Sequence, residues 1–83
     1  MSLPDRSGRI NHDSATTVSA QVAADIEADI DAGTIAPDTR LPSEVELAQQ
    51  YGVARITVRR ALDELRERGK VVTVQGKGTY VRP

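Results

Sequence analysis

The stretch Leu47-Ala48-Gln49-Gln50-Tyr51-Gly52-Val53-Ala54-Arg55-Ile56-Thr57-Val58-Arg59-Arg60-Ala61-Leu62 constrains this chain more than any other. Its small and apolar positions fall where two short helices crossing at a steep angle require them, which is the pattern of a helix-turn-helix. Ala48 is small where the first helix must let the second approach, and Gly52 stands at the corner, where the backbone turns through positive φ at little cost. Leu47, Tyr51, Val53, Val58 and Leu62 fill the wedge between the helices. The other face of the second helix carries Arg55, Arg59 and Arg60. A helix exposed and basic at its N-terminal end is suited to a DNA major groove.

The flanks supply the rest of a small domain. Val18, Val22, Ile26 and Ile30 recur every four positions with alanines between them, an amphipathic helix that Gly33 stops. Asp25, Glu27, Asp29 and Asp31 form its outer face. Asp25 and Asp29 lie one turn apart, but nothing else converges on them, so a solvated face is expected rather than a cation site. Thr34 to Pro42 is a connector with its turn at Pro37-Asp38, Ile35 returning to the core, and Thr39-Arg40-Leu41 extended before Pro42 as a short edge strand. Ser43 and Glu46 form a capping box for the helix that follows, which ends near Tyr51.

The second helix of the motif is expected from about Arg55 to Arg68, with Val58, Ala61, Leu62 and Leu65 inward. Asp63 and Glu64 follow Arg59 and Arg60 by four, so intrahelical pairs worth a few tenths of a kcal/mol are expected alongside any DNA role. Val71-Val72-Thr73-Val74 and Thr79-Tyr80-Val81, joined through Gln75-Gly76-Lys77-Gly78, read as a hairpin. Its tip presents one cation and open backbone amides to a phosphate or a minor groove. The expected fold is mainly α with a small β-hairpin, a winged helix-turn-helix of three helices plus a wing. Residues 1–16, polar and without apolar period, are expected to be a disordered tail, and residues 17–83 the domain.

Composition decides which functions such a fold can serve. Residues 1–50 hold three bases against nine acids, net −6, and residues 51–83 hold eight bases against three acids, net +5. An acidic part facing away and a basic part facing a polyanion would orient the molecule as well as attract it. The chain has no Cys and a single His, His12, so no disulfide and no metal-ligand cluster can be assembled, and no cofactor is expected. No apolar run nears the roughly 20 residues of a membrane helix, and the N-terminus lacks the apolar core of a signal peptide. A cytoplasmic chain without a membrane partner is therefore expected. No nucleophile stands with a base, so catalysis is not expected. The rival function is a winged helix that binds protein through its hairpin and helix.

Leu41-Pro42-Ser43-Glu44, Leu47-Ala48, Gly52-Val53, Thr57-Val58-Arg59, Ala61-Leu62, Leu65, Gly69 and Gly76-Lys77-Gly78-Thr79-Tyr80-Val81 resemble the GntR family of bacterial transcription regulators, over about Val18 to Val81. The resemblance implies sequence-specific binding of double-stranded DNA, with repression as the expected outcome. It implies recognition-helix contacts from Arg55, Thr57 and Arg59, a backbone-phosphate contact from Ser43, and minor-groove entry by Gly76 with Lys77. Ile56 and Arg60 complete the expected contact set. Such proteins bind near-palindromic operators as dimers, so a homodimer is expected on DNA or in a longer protein. The chain ends at Pro83, where family members continue into a dimerising, effector-binding domain, and by itself it is expected to be monomeric.

Three positions depart from the family's pattern. Val45 stands where an arginine reaches DNA, so the domain is expected either to read one fewer base per half-site or to replace that contact with an apolar one, such as to a thymine methyl and shared with Ile56. Ala54 replaces a Ser or Thr cap, at a cost of about 1 kcal/mol in helix stability. Asp38 replaces a turn glycine, which Asp tolerates because it enters the left-handed region more easily than most residues.

Overall fold

The computed structural model describes residues 4–83. Met1, Ser2 and Leu3, the first residues of the expected tail, lie outside the described residues. Three helices, α1 (Val18–Asp31), α2 (Glu44–Tyr51) and α3 (Arg55–Glu67), precede a hairpin of β1 (Val71–Val74) and β2 (Gly78–Val81). The expected fold class is observed.

Each boundary has a local cause. The Thr17 side chain caps α1 by accepting the Ala20 N–H, and Gly33, at φ +78°, follows its last turn. Ser43 and Glu46 cap α2 reciprocally, and Gly52 ends it in the left-handed region at φ 65°. Ala54 precedes α3 with no side-chain bond to the exposed amides. β1 and β2 pair antiparallel with Val71 opposite Val81 and Val74 opposite Gly78, so the strand starts one residue earlier than the sequence indicated and Gln75-Gly76-Lys77 form the tip.

One core holds these pieces together. Val22, Ala23 and Ile26 of α1, Leu47, Ala48 and Tyr51 of α2, and Val58, Ala61, Leu62 and Leu65 of α3 are buried with Ile35, Leu41, Val71 and Val81. Val53, expected in the wedge, is only partly buried against this cluster. The segment 39–41 runs beside β2 as expected, with the Val81 N–H donating to the Thr39 carbonyl at 2.9 Å and the Leu41 N–H to the Thr79 carbonyl at 2.8 Å. It forms an isolated bridge, Arg40 to Tyr80, rather than a full strand. Asp38 takes the turn at φ 63°, the left-handed conformation its position required.

The expected disordered tail is corrected over its described part. Ser7–Arg9 form a single 3-10 turn, and Arg6 and Ile10 are buried. The Arg6 N–H donates to the Gln50 carbonyl at 2.6 Å, fastening the segment to the last turn of α2. Its guanidinium Nη1 donates to Asp29 at 2.6 Å, Asp25 at 2.9 Å and the Tyr51 hydroxyl at 3.2 Å. The Tyr51 hydroxyl donates in turn to Asp25 at 2.6 Å. The solvated face expected for α1 is therefore wrong at two places: Asp25 and Asp29 are ion partners of Arg6 at 21% and 17% exposure. Period alone could not reveal this, because the partner lies 19 and 23 residues away in a segment with no period of its own.

Candidate nucleic-acid interface

Packing of α3 through Val58, Ala61, Leu62 and Leu65 turns its opposite face outward. At its N-terminal end Arg55, Ile56, Arg59 and Arg60 are exposed, and Thr57 is half-buried. Free amides at a helix N-terminus favour an approaching anion, and Ala54 leaves those of α3 without a competing side chain. Ser43 is exposed too, but its hydroxyl accepts the Glu46 N–H at 3.1 Å and so holds α2.

Arg55 and Arg59, one turn apart, both reach back to Glu44, the first residue of α2. Arg55 Nη2 lies 3.5 Å from Oε1, while Arg59 donates through Nη2 to Oε1 at 3.3 Å and through Nε to Oε2 at 3.4 Å. The Arg59 hydrogen bonds are the main cause that holds the Glu44 carboxyl below its ordinary range, against a smaller opposing effect of burial. The expected intrahelical pairs are corrected accordingly. Asp63 pairs with Arg66 and Glu64 with Arg68. Among the described residues Arg60 and Lys77 have no ion-pair partner within 4 Å. In the sequence Glu44 stands out only as a member of the Leu41-Pro42-Ser43-Glu44 motif, because a pair that spans two helices leaves no mark in the spacing of either.

The wing stands beside this face. Gly76 sits at the tip with φ +79° and nothing within 4 Å of where a Cβ would be, and Lys77 beside it is exposed. Arg66 Nε donates to the Thr73 hydroxyl at 2.7 Å and ties β1 to α3. Arg40, outside the expected contact set, lies across β2: a Cβ on Gly78 would meet its Nε at 3.0 Å. The groove between wing and helices is lined by Arg40, Ser43, Glu44, Arg66 and residues 76–79. The short edge strand expected over Thr39-Arg40-Leu41 was the sign in the sequence, but it did not say that residue 40 would pair with Tyr80 of the wing. Val45 and Ile56, second residues of α2 and α3, are 43% and 48% exposed, each following a member of the Glu44–Arg55 pair.

A helix-turn-helix whose outward helix is basic at its N-terminus, with a hairpin beside it tipped by glycine and lysine, is a winged helix-turn-helix of the DNA-binding kind. The chain belongs to the gntR family of bacterial regulatory proteins, whose model matches residues 18–81. It is 42% identical over 73 residues to the uncharacterized HTH-type transcriptional regulator YurK of Bacillus subtilis, a match covering 88% of this chain and 30% of that one. It is 39% identical to the HTH-type transcriptional repressor NagR of the same organism, over 87% of this chain and 30% of that one. The solved structure of AraR(DBD) in complex with operator ORE1 superposes with a TM-score of 0.77 at 40% identity, over 87% of this chain and 88% of that one. The chain thus spans about three-tenths of the length of these two curated relatives. Among the described residues no helix is long and apolar enough to cross a membrane.

Proposed function

We propose that this chain reads an operator in double-stranded DNA for a transcription repressor, with α3 in the major groove and the Gly76-Lys77 tip at the minor groove. The observation that carries the proposal is the meeting, on one face, of the exposed arginines opening α3 and a basic, glycine-tipped wing. A relative named as a repressor and a similar domain solved on an operator support it. In this reading Arg55 and Arg59 reach base edges, and Thr57 and Ile56 line the groove. Ser43, Arg60, Arg40 and Lys77 serve the backbone. Val45 and Ile56 favour a thymine-containing step, since the thymine methyl is the apolar group that the major groove offers. The operator is near-palindromic and the bound form a homodimer. Free in solution the 83-residue chain is a monomer, because most of its large apolar side chains close on a single core and the exposed Val45 and Ile56 lie on the face assigned to DNA.

Selection from random duplex DNA tests the proposal, and the enriched half-site then serves as the cognate probe. Arg55→Ala or Arg59→Ala should cost about 1–3 kcal/mol on that probe and relax preference at one base step. Lys77→Ala should weaken all duplexes alike. Equal losses on cognate and random DNA for the arginine variants would reduce both residues to phosphate contacts, and no enriched sequence at all would refute sequence reading.

A further inference from the structure

We infer that Glu44 is a positioning residue that sets specificity by steering Arg55 and Arg59 toward base edges and away from phosphates; the inference rests on the DNA-binding reading above. Glu44 holds both arginines at once, through three hydrogen bonds of 3.3 to 3.5 Å, on the face where the polyanion would lie. A carboxylate there is costly for a DNA-binding surface unless its charge does something. A guanidinium has five N–H donors in a planar fork, so an arginine can keep one edge on Glu44 and offer another to a second acceptor. Guanine O6 and N7 are neutral acceptors and leave the Glu44 charge unopposed by any like charge. A phosphate brings a second negative charge to the same guanidinium, and it repels the carboxylate at close range whether or not the ion pair survives. The penalty is larger on random duplex, which seldom presents guanine to both arginines and leaves them phosphates to bind, and smaller on a site that presents guanine to them.

The neighbouring acids do not have this geometry. Glu46 closes the capping box, Asp63 pairs with Arg66, and Glu67 is exposed at the far end of α3. Glu67→Gln is therefore the matched control, with the same change in net charge on the same molecule. The experiment compares wild type, Glu44→Gln and Glu67→Gln on the cognate duplex and on random duplex across a salt series, with thermal midpoints to establish folding. For Glu44→Gln, affinity for random duplex should rise by about 5-fold, the upper range for exposed ion pairs, while cognate affinity changes less than twofold. The slope of log K against log salt on random duplex should steepen by about 0.9 for each arginine released to a phosphate. Glu67→Gln should leave the ratio of cognate to random affinity nearly as in wild type. If the two variants behave alike, only net charge matters and the inference is overturned. If Glu44→Gln instead loses preference at one cytosine-containing step, Glu44 is itself a base contact and the inference is overturned in that direction. Wild type that fails to discriminate among duplexes would defeat the DNA-reading proposal itself, and is told apart because it is measured before any variant.

Discussion

Arg6 shows how much one side chain can organise. It is the charged residue buried among the described ones, at 6% exposure, and its guanidinium joins two aspartates of α1 to the tyrosine that ends α2. Removing it would leave Asp25 and Asp29 one turn apart without their shared cation. Arg6→Ala should therefore destabilise the fold by about 3 kcal/mol, the usual scale for breaking a buried ion pair from one side, as read by urea unfolding. The same cluster predicts an acid limb. Burial alone would raise the Asp25 carboxyl, but hydrogen bonds from Tyr51 and Arg9, with the charges of Arg9 and Arg6, hold it below its ordinary 3.8. A folded value below the unfolded one means that protonation favours the unfolded chain. The Asp25 contribution is complete above about pH 4 and is lost as pH falls through the folded value. The stability difference between wild type and Asp25→Asn should be larger at pH 7 than at pH 3; a difference independent of pH would show that the carboxylate charge is not what matters.

At the scale of elements, the two helices of the motif begin in opposite ways. α2 starts with a reciprocal capping box, whereas α3 starts at Ala54, which has the extended backbone of a cap (φ −70°, ψ 152°) but no side-chain oxygen to offer. Ala54→Ser fits that backbone without strain and supplies the missing acceptor. It should stabilise the domain by about 1 kcal/mol, which for a domain of this size raises Tm by roughly 4–8 °C. Calorimetry checks this directly, and an unchanged Tm would mean that water already satisfies those amides equally well. The wing is held by the pairing of its four-residue strands together with two attachments, Arg66 to Thr73 on one side and the 39–41 segment on the other.

For the whole molecule, charge division along the chain is a good guide with exceptions, among them Glu44, which lies among the arginines of the basic face. Arg40, from the acidic half, crosses to the wing. Arg68 and Lys70, from the basic half, turn to Glu27 and Asp31 of α1, at 3.0 and 2.8 Å. In the proposed reading the binding face therefore draws on Arg40, Arg55, Arg59, Arg60 and Lys77 rather than on every base after residue 50. The affinity for duplex DNA should fall with salt, each phosphate contact adding about −0.9 to the slope of log K against log salt. A titration with no salt dependence would favour the rival winged helix that binds protein.

By itself the sequence determined most of what depends on near neighbours, the intrahelical pairs expected of Arg59 and Arg60 excepted. Helix starts and stops, the left-handed turns at Gly52 and Asp38, the hairpin, the core stripes and the family motif all rest on interactions within a few residues or on a strict period. The outward set Arg55, Ile56, Arg59 and Arg60 followed from the same stripes, since burying one face of α3 exposes the other. Tertiary structure alone decided the pairings between separate segments: Arg6 with Asp25, Asp29 and Tyr51, Glu44 with Arg55 and Arg59, and Arg40 over Gly78. The physical reason is that a long charged side chain has several partners within reach of its length. Which one it takes is set by where packing of the apolar core leaves each backbone, and no local pattern encodes that.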